Sequence, residues 1–525
     1  MTGIGNGNTH SLSVDIGGTF TDFSLIDLTT GEVSVHKVLT DTTEPENTLI
    51  SGATELLDSV ASGFHRLQVM VHSTTLTTNA IIERKGAKTA LVTTKGFRDI
   101  LEMGREQIYH MYDLQARNPE PIVPRHLRRE VTERTTRDGL VLTPIDESEI
   151  VSVIGDLVEE GIEALAISLL HSYKNPSSEK TLKVIIEHRF PDLPLCISSE
   201  VAPVINEYER TSTTVADCYV KPAVSRYLRR VEQMLANAGY RGRLLVMHSA
   251  GGVMDSDKAC RHPIRLLESG PAAGALAASF YSDLLGQPDI ISLDMGGTTA
   301  KTCILESGQA PVVNSIEVAR VHRFIKGSGI PILIPVVDLI EIGAGGGSIA
   351  WVDNLGLLKV GPHSAGADPG PACYDRGGHQ PTVTDANLIL GYLNPDYFLG
   401  GRMMLNEDAA RRAIAGLSKL MDIDEVQIAA GIHRVVTENM AASARIHVIG
   451  RNKDPRNYAI IAFGGAGPAH ACELARILGV KQVIVPLAAG VTSAVGCLTA
   501  PLSFEEVRSF PAVLEETDWD AVNGL

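Results

Sequence analysis

Cysteine is scarce in this chain and never clustered. Its seven residues, at positions 196, 218, 260, 303, 373, 472 and 497, form neither a CxxC pair nor a short-spaced framework. That spacing disfavours a thiolate zinc site and a disulfide scaffold alike, and it makes a reducing, cytoplasmic compartment the default expectation. Basic charge is also in deficit. Lys and Arg total 46 against 62 Asp and Glu, a net charge of -16, which argues against a broad nucleic-acid surface. No charge-free apolar run of about 18 residues reads as a membrane span, and Met1 to His10 lacks the apolar centre of a secretory signal. Neither a Walker A loop nor a Gly-x-Gly-x-x-Gly dinucleotide turn is present, and no serine triad is readable. What remains is the composition of a soluble globular enzyme, 44% hydrophobic and 21% charged with 49 glycines. At 525 residues it is longer than one hydrophobic core usually serves, so two or three domains are expected.

The informative feature is a short signature that occurs twice. Val14-Asp15-Ile16-Gly17-Gly18-Thr19 stands near the start, and Leu293-Asp294-Met295-Gly296-Gly297-Thr298 stands past the middle. Each follows a β-type apolar run, so each reads as a strand entering a tight Gly-Gly turn with an aspartate at its lip. Such turns can present backbone N–H groups to phosphate oxygens, because glycine permits positive φ and leaves no Cβ in the way. The aspartate can hold Mg2+, and the threonine hydroxyl can donate to phosphate. A third element, Phe463-Gly464-Gly465-Ala466-Gly467-Pro468 before a helix from His470, adds another strand, glycine turn and helix start. It suits close approach of an adenosine to the backbone. The three together predict a nucleotide clamped between two similar halves.

Periodicity supplies the setting. Residues 11 to 40 alternate as the antiparallel start of a mixed sheet, and Leu67 to Val71 reads as a strand, His72 to Thr78 as a polar loop, and the residues before Arg84 as a helix. Ala87 to Thr93 is a further strand; Arg105 to Leu140 is charged and proline-punctuated and reads as an extended connection. Helices over Glu147 to Gly161, Ser178 to Phe190 and Arg210 to Ala238 alternate with strands over Ala164 to Leu170 and Leu244 to His248, a pattern of α/β layers. A small-residue helix begins at Ser269-Gly270-Pro271-Ala272-Ala273-Gly274. Gly343 to Gly347 and Gly361 to Gly378 form glycine-rich loops long enough to suggest function. The expected division is residues 1–250 for one half with inserted α/β elements, 251–505 for the other, and 506–525 as a tail or the start of a further region.

On these residues the chain resembles the hydantoinase A, 5-oxoprolinase and acetone carboxylase beta-subunit family. The likeness runs from about residue 11 to about residue 505. It is carried by Asp15 to Asp22, by His72 to Thr75 with Thr78 to Gly86, and by Thr94 to Asp99. Ser269 to Gly274, Asp294 to Thr298, Gly343 to Ser348, Gly366 to Tyr374 and Phe463 to Pro468 complete it. The resemblance implies two mixed-sheet α/β halves of the actin, Hsp70 and sugar-kinase ATPase fold, with ATP and Mg2+ (or Mn2+) in the cleft. It also implies a hydantoinase-B-like partner subunit in a hetero-oligomer, acting on a small-molecule substrate. One departure is Thr299-Ala300-Lys301, where many relatives carry an acidic residue at the last position; Lys301 points to phosphate or an acidic substrate rather than metal. Members are commonly longer, which suggests further C-terminal sequence.

The expected chemistry is ATP-dependent phosphorylation of a poorly electrophilic carbonyl. For a hydantoin, 5-oxoproline or other lactam, phosphoryl transfer to the amide oxygen gives an imidate-like carbon that water attacks; the alternative is ketone carboxylation driven by the same transfer. A chaperone-like or sugar-kinase-like ATPase shares the clamp and is the third reading. Catalytic candidates are Asp15, Asp294, His72, Thr19 and Thr298, with Asp15 and Asp294 on the metal. Gly17, Gly18, Thr19, Thr21, Asp22, Gly296, Gly297, Thr298, Thr299, Lys301, Gly464, Gly465, Ala466 and Gly467 are the nucleotide-binding candidates. Asp22 is expected to position Thr21 or water. Asp99, Glu102 and Arg105, or Asp338 and Glu341, could border the cleft, although charges at such spacings commonly mark a solvated face. His363, Asp368, Cys373 and His379 match no zinc spacing, and Arg445 and His447 read as structural.

Overall fold

The computed structural model describes residues 9–41, 43–106, 108–322 and 325–524. Residues 1–8 of the N-terminal segment just discussed lie outside the described residues. Three sheets organise the chain. The first has six strands in the order Gly252–Asp255, Arg243–His248, Leu67–Thr74, His10–Ile16, Phe20–Asp27, Val33–Leu39. The third has five, in the order Leu339–Ile342, Ala300–Leu305, Ile290–Met295, Ala459–Phe463, Val483–Ile484. Both are built alike. Each signature strand pairs antiparallel with the strand that follows its glycine turn, and parallel on its other side with a later strand. That makes the two halves structural repeats. The architecture is the pair of related mixed-sheet α/β halves that the resemblance implies.

The register exposes a relation between the repeats. Asp15 lies opposite Asp22, which lies opposite Lys37. In the other half Asp294 lies opposite Lys301, which lies opposite Glu341. The second and third members of the two triplets have exchanged charge, so Lys301 is the positional counterpart of Asp22.

Between the strands of the first sheet the chain inserts a parallel sheet, ordered Leu195–Ile197, Ala164–Ser168, Thr89–Thr94, Arg128–Val131. Helix Glu147–Glu159 covers it because Ile150, Ile154 and Leu157 recur at helical spacing on one buried face. Asp146 starts that helix by accepting from the Ser148 and Glu149 N–H groups. The paired strand Arg128–Val131 corrects the expectation that residues 105 to 140 are only an extended surface connection. Its Arg-rich sequence carries no strand periodicity; it is held by the parallel neighbour Thr89–Thr94 and by the buried Arg128, which donates to the Val123 carbonyl.

The expected boundary at 250 falls inside a hairpin. Gly252–Asp255 pairs with Arg243–His248, and the first core continues through Ile264, Leu266 and Leu267 and takes in Ile330, Ile332 and Ile334. The chain also returns to the first half near its end. Helix Thr492–Thr499 packs on helix Ser269–Leu285 and on strand His10–Ile16, where Ser13 Oγ donates to the Ala494 carbonyl at 2.6 Å. Small residues make that crossing possible. A Cβ on Gly496 would stand 2.7 Å from the Ala273 carbonyl carbon, inside any tolerable contact.

Candidate functional site

The two signature loops meet across a cavity of about 400 Å³. They touch each other, since a Cβ on Gly297 would lie 2.8 Å from Thr19 Oγ1. Asp15, Gly17, Gly18, Thr19 and Asp22 line the cavity from the first half. Asp294, Gly296, Gly297, Thr298, Thr299 and Lys301 line it from the second, together with Gly464, Gly465 and Ala466. Both loop aspartates are therefore brought to one space from strands in different sheets.

The electrostatics of that space suit a cation. Burial, with the negative charges of Asp22 and Asp294 added, pushes Asp15 up to about 7. The opposing influences are Ser73, whose Oγ donates to Asp15 Oδ1 at 2.5 Å, and the positive charge of Lys37. Asp294 is pushed up to about 6, again chiefly by burial, with Lys301 pulling the other way. Two buried carboxylates whose negative charge lacks a full counter-charge are a donor set that a hard divalent ion favours, with phosphate oxygens and water as further ligands. Thr19 Oγ1 is buried without a hydrogen-bond partner, so it offers an unused group to an anion. Gly18 and Gly465 have no atom within 4 Å of a would-be Cβ and leave backbone open to a ligand. The residues present thus fit Mg2+ and the phosphates of a nucleotide. Asp15 and Asp294 would hold such an ion, which would supply neutralisation of the phosphoryl charge.

Several glycine motifs without an assigned role turn out to be supports. On helix Ser269–Leu285, Gly270 and Gly274 are one turn apart. A Cβ on Gly270 would lie 2.9 Å from Asp15 Oδ1, and one on Gly274 would lie 3.3 Å from Asp294 Oδ2. A single helix face therefore presses on both carboxylates. Loop 343–347 braces the second turn, with the Gly346 N–H donating to the Gly296 carbonyl at 2.9 Å and the Gly347 N–H to the Gly297 carbonyl at 2.6 Å. Gly464 has φ of +82°, and a Cβ there would lie 2.6 Å from Asp294 Oδ1.

Other candidates move. His72 does not face the cavity. It is fully buried, its Nε2 2.9 Å from Tyr227 Oη and its Nδ1 3.3 Å from the Val14 carbonyl oxygen, and burial lowers its pKa to about 4. The cause is strand alternation: Ser73, the next residue, takes the face toward Asp15. His72→Phe is expected to cost about 1–3 kcal/mol by stranding the Tyr227 hydroxyl, read by denaturant unfolding. Nucleotide affinity should stay within about twofold of wild type; a larger loss would return His72 to the site.

Thr21 is likewise buried behind the loop, 2.9 Å from Thr40 Oγ1, which in turn donates to the Gly17 carbonyl at 3.0 Å. Asp22 does not position it, because Asp22 is ion-paired with Lys37. Lys301 reaches the cavity, but its charge is claimed by an ion pair with Glu268, with Glu341 at 3.9 Å. Gly467 starts helix Gly467–Leu478 and packs toward the Leu293 carbonyl rather than lining the cavity. Asp99, Glu102 and Arg105 pair with Arg125, Arg128 and Glu209 in the first half, away from the cavity. Asp338 is tied to Arg451 and His447, and the Arg445 guanidinium donates to the Ile477 carbonyl. Cys373 is buried with its N–H on Asp385 Oδ1, and His363, Asp368 and His379 do not line the cavity. Residues the sequence reading missed are Lys37, Ser73, Gly270, Thr384, Asn387 and Ser493. Ser73 and Gly270 lie inside the family motifs, His72 to Thr75 and Ser269 to Gly274, and Thr384 lies outside them; Lys37 could have been found only from the strand register.

Two family models cover this arrangement almost end to end. The hydantoinase/oxoprolinase model matches residues 210–506, and the hydantoinase/oxoprolinase N-terminal region matches residues 11–190. The chain belongs to the hydantoinase/oxoprolinase family. It is 34% identical over 514 residues to caprolactamase subunit alpha of Pseudomonas jessenii, covering 97% of this chain and 72% of that one. Superposed on the crystal structure of the ATP-dependent caprolactamase, it gives a TM-score of 0.83 at 33% identity, over 98% of this chain and 74% of the other. The acetophenone carboxylase gamma subunit of Aromatoleum aromaticum is 34% identical over 498 residues, 91% of this chain and 66% of its own length. A nucleotide-free acetone carboxylase structure matches with a TM-score of 0.82 at 30% identity, over 94% of this chain and 70% of that one. The family is one of ATP-dependent amidohydrolase and carboxylase subunits, and the chain has the role of an ATPase subunit within it. Among the described residues no helix is long and apolar enough to cross a membrane.

Proposed function

We propose that this chain binds Mg-ATP in the cleft between its halves and transfers the γ-phosphoryl group to a carbonyl-derived oxygen, as the ATPase subunit of a ketone carboxylase. The observation that carries the phosphoryl-transfer reading is the convergence of Asp15 and Asp294 on one cavity with the unpartnered Thr19 hydroxyl. Such chemistry asks the protein mainly for positioning and charge stabilisation. The glycine turns supply N–H groups, Thr19 and Thr298 supply hydroxyls, and Phe20, Tyr374 and Phe398 form an apolar side of the cavity that excludes water. The phosphorylated enol or bicarbonate would then be consumed with a partner subunit.

Two of the three relatives named as subunits are carboxylase subunits, of acetophenone and of acetone carboxylase. These names support our putting ketone carboxylation ahead of lactam hydrolysis, the reverse of the order expected from sequence. Lactam hydrolysis stays as the second reading because the caprolactamase subunit matches at 34% identity and its structure at a TM-score of 0.83. Both readings need the same first step, since an enol oxygen and an amide oxygen are comparable phosphoryl acceptors. A hydantoinase-B-like partner is part of the proposal. The decisive assay purifies the chain with its native partner and follows ATP consumption with ketones and with lactams. Bicarbonate-dependent consumption with a ketone supports the first reading. Bicarbonate-independent opening of a lactam moves the assignment to the second, and full turnover by this chain alone refutes the need for a partner.

A further inference from the structure

Helix Glu425–Gly450 presents two opposite faces. Ile428, Ile432, Val436, Met440, Ala444 and Val448 recur every four residues and are buried in the core of the second half. Two residues out of phase, and so about 200° around the helix, stands a second four-residue row. It consists of Val426, Ala430, Arg434, Glu438, Ala442 and Ile446, and every member is exposed. The solvent face of an amphipathic helix is ordinarily polar along its length. This one is charged only at its middle, with alanines on either side and branched apolar residues at both ends, Val426 46% and Ile446 67% exposed.

The row is also self-complementary. About the level of Val436, Val426 mirrors Ile446, Ala430 mirrors Ala442, and Arg434 mirrors Glu438 with the charge reversed. Antiparallel pairing with a second copy therefore sets apolar beside apolar, alanine beside alanine, and each arginine beside the other chain's glutamate. Within one chain those charges do not satisfy each other. Among the described residues neither Arg434 nor Glu438 forms an ion pair, whereas Glu407 and Arg411, in the favourable order of acid before base, pair at 2.6 Å. The interface adds no net charge, which matters for copies that each carry -16.

A place for the partner's row lies beside it. A cavity of about 1010 Å³ follows the helix, with Gly431, Val435 and Asn439 on one side and Trp351, Leu358 and Pro362 of the hairpin formed by Ser348–Val352 and Leu358–Ser364 on the other. Mutual packing of four-residue ridges is the commonest helix crossing, at about -50° with axes roughly 8–10 Å apart. The alanines next to the centre leave room for that approach. A two-fold axis lets each ridge enter the other's furrow, so that one patch serves both chains.

We infer that the exposed row of helix Glu425–Gly450 is the contact through which two copies of this chain associate about a two-fold axis, each row seated in the other's furrow. The inference is independent of the nucleotide reading. Its test is sedimentation velocity of the full chain alone, in which wild type is expected as a species of twice 56.2 kDa that dissociates on dilution. Arg434→Glu and Glu438→Arg each place like charges at both central contacts and should weaken the dimer by about 10-fold or more. Both positions are exposed, so the melting temperature should not move. Mixing the two variants is the decisive arm. A chain with two glutamates then faces a chain with two arginines, and association should return to within about threefold of wild type. The double variant, with the two charges exchanged, should likewise dimerise by itself. A wild-type chain that stays monomeric at its highest soluble concentration overturns the inference, as does a dimer indifferent to both single variants or no recovery on mixing. Loss of binding to a different subunit in these variants, with this chain monomeric throughout, overturns it by assigning the face to that subunit.

Discussion

Asp15→Asn and Asp294→Asn are each expected to slow phosphoryl transfer by roughly 100-fold or more, because a preorganised charge beside the transferring group is worth a few kcal/mol in the transition state. The substitution is nearly isosteric, so packing is spared. Asp15 keeps the Ser73 hydroxyl as a neighbour and Asp294 keeps Ser493, 3.4 Å away. Burial also disfavours the charged form of both carboxylates in the absence of a cation. Removing either charge should therefore leave thermal stability unharmed or slightly raised while activity falls. That opposition between stability and activity is the signature of a site held for a ligand. Single-turnover ATP cleavage together with thermal unfolding measures both, and normal turnover in the two folded variants would mean that the paired loops serve structure alone.

The adjacent glycines of the third loop should behave differently from one another. Gly464 has positive φ, and its missing Cβ would collide with Asp294 Oδ1 and with the Met295 carbonyl. Gly464→Ala therefore combines a left-handed backbone penalty with overpacking, together about 2–5 kcal/mol. It is expected to lower the melting temperature and to weaken Mg-ATP by roughly 30-fold, since relief of the clash displaces Asp294. Gly465 borders the cavity with nothing within 4 Å. Gly465→Ala should leave the melting temperature unchanged and affect the ligand alone, by about threefold or less, while Gly465→Val brings enough bulk to weaken it further. Equal effects on stability at the two positions would show that the third loop does not bear on Asp294 as the structure has it.

That contrast marks the limit of what a glycine motif reveals. Two adjacent glycines look alike in a sequence, but one is required by its protein neighbours and the other by open space. The same holds for Gly270 and Gly274, whose shared helix face could be drawn from spacing while the carboxylates it meets could not. His72 and Ser73 differ only by the pleat of a strand, and polarity favoured the wrong one of the pair.

The duplicated strand and Gly-Gly turn, the aspartate at each lip and the alternation of helices and strands are local patterns, and the sequence alone determined them. They were sufficient to predict two related halves and the loop residues that line the cavity from both sides, but not its remaining walls. Only the tertiary structure decided which charges compensate one another. Asp22 is held by Lys37 and Lys301 by Glu268, pairings that depend on strand register and on a helix start arriving from a distant part of the chain. It also decided where the halves divide, because the strand Gly252–Asp255 and the helix Thr492–Thr499 join the first half through contacts remote in sequence. Local periodicity records which face of an element is buried. The partner that buries it is set by the packing of the whole chain.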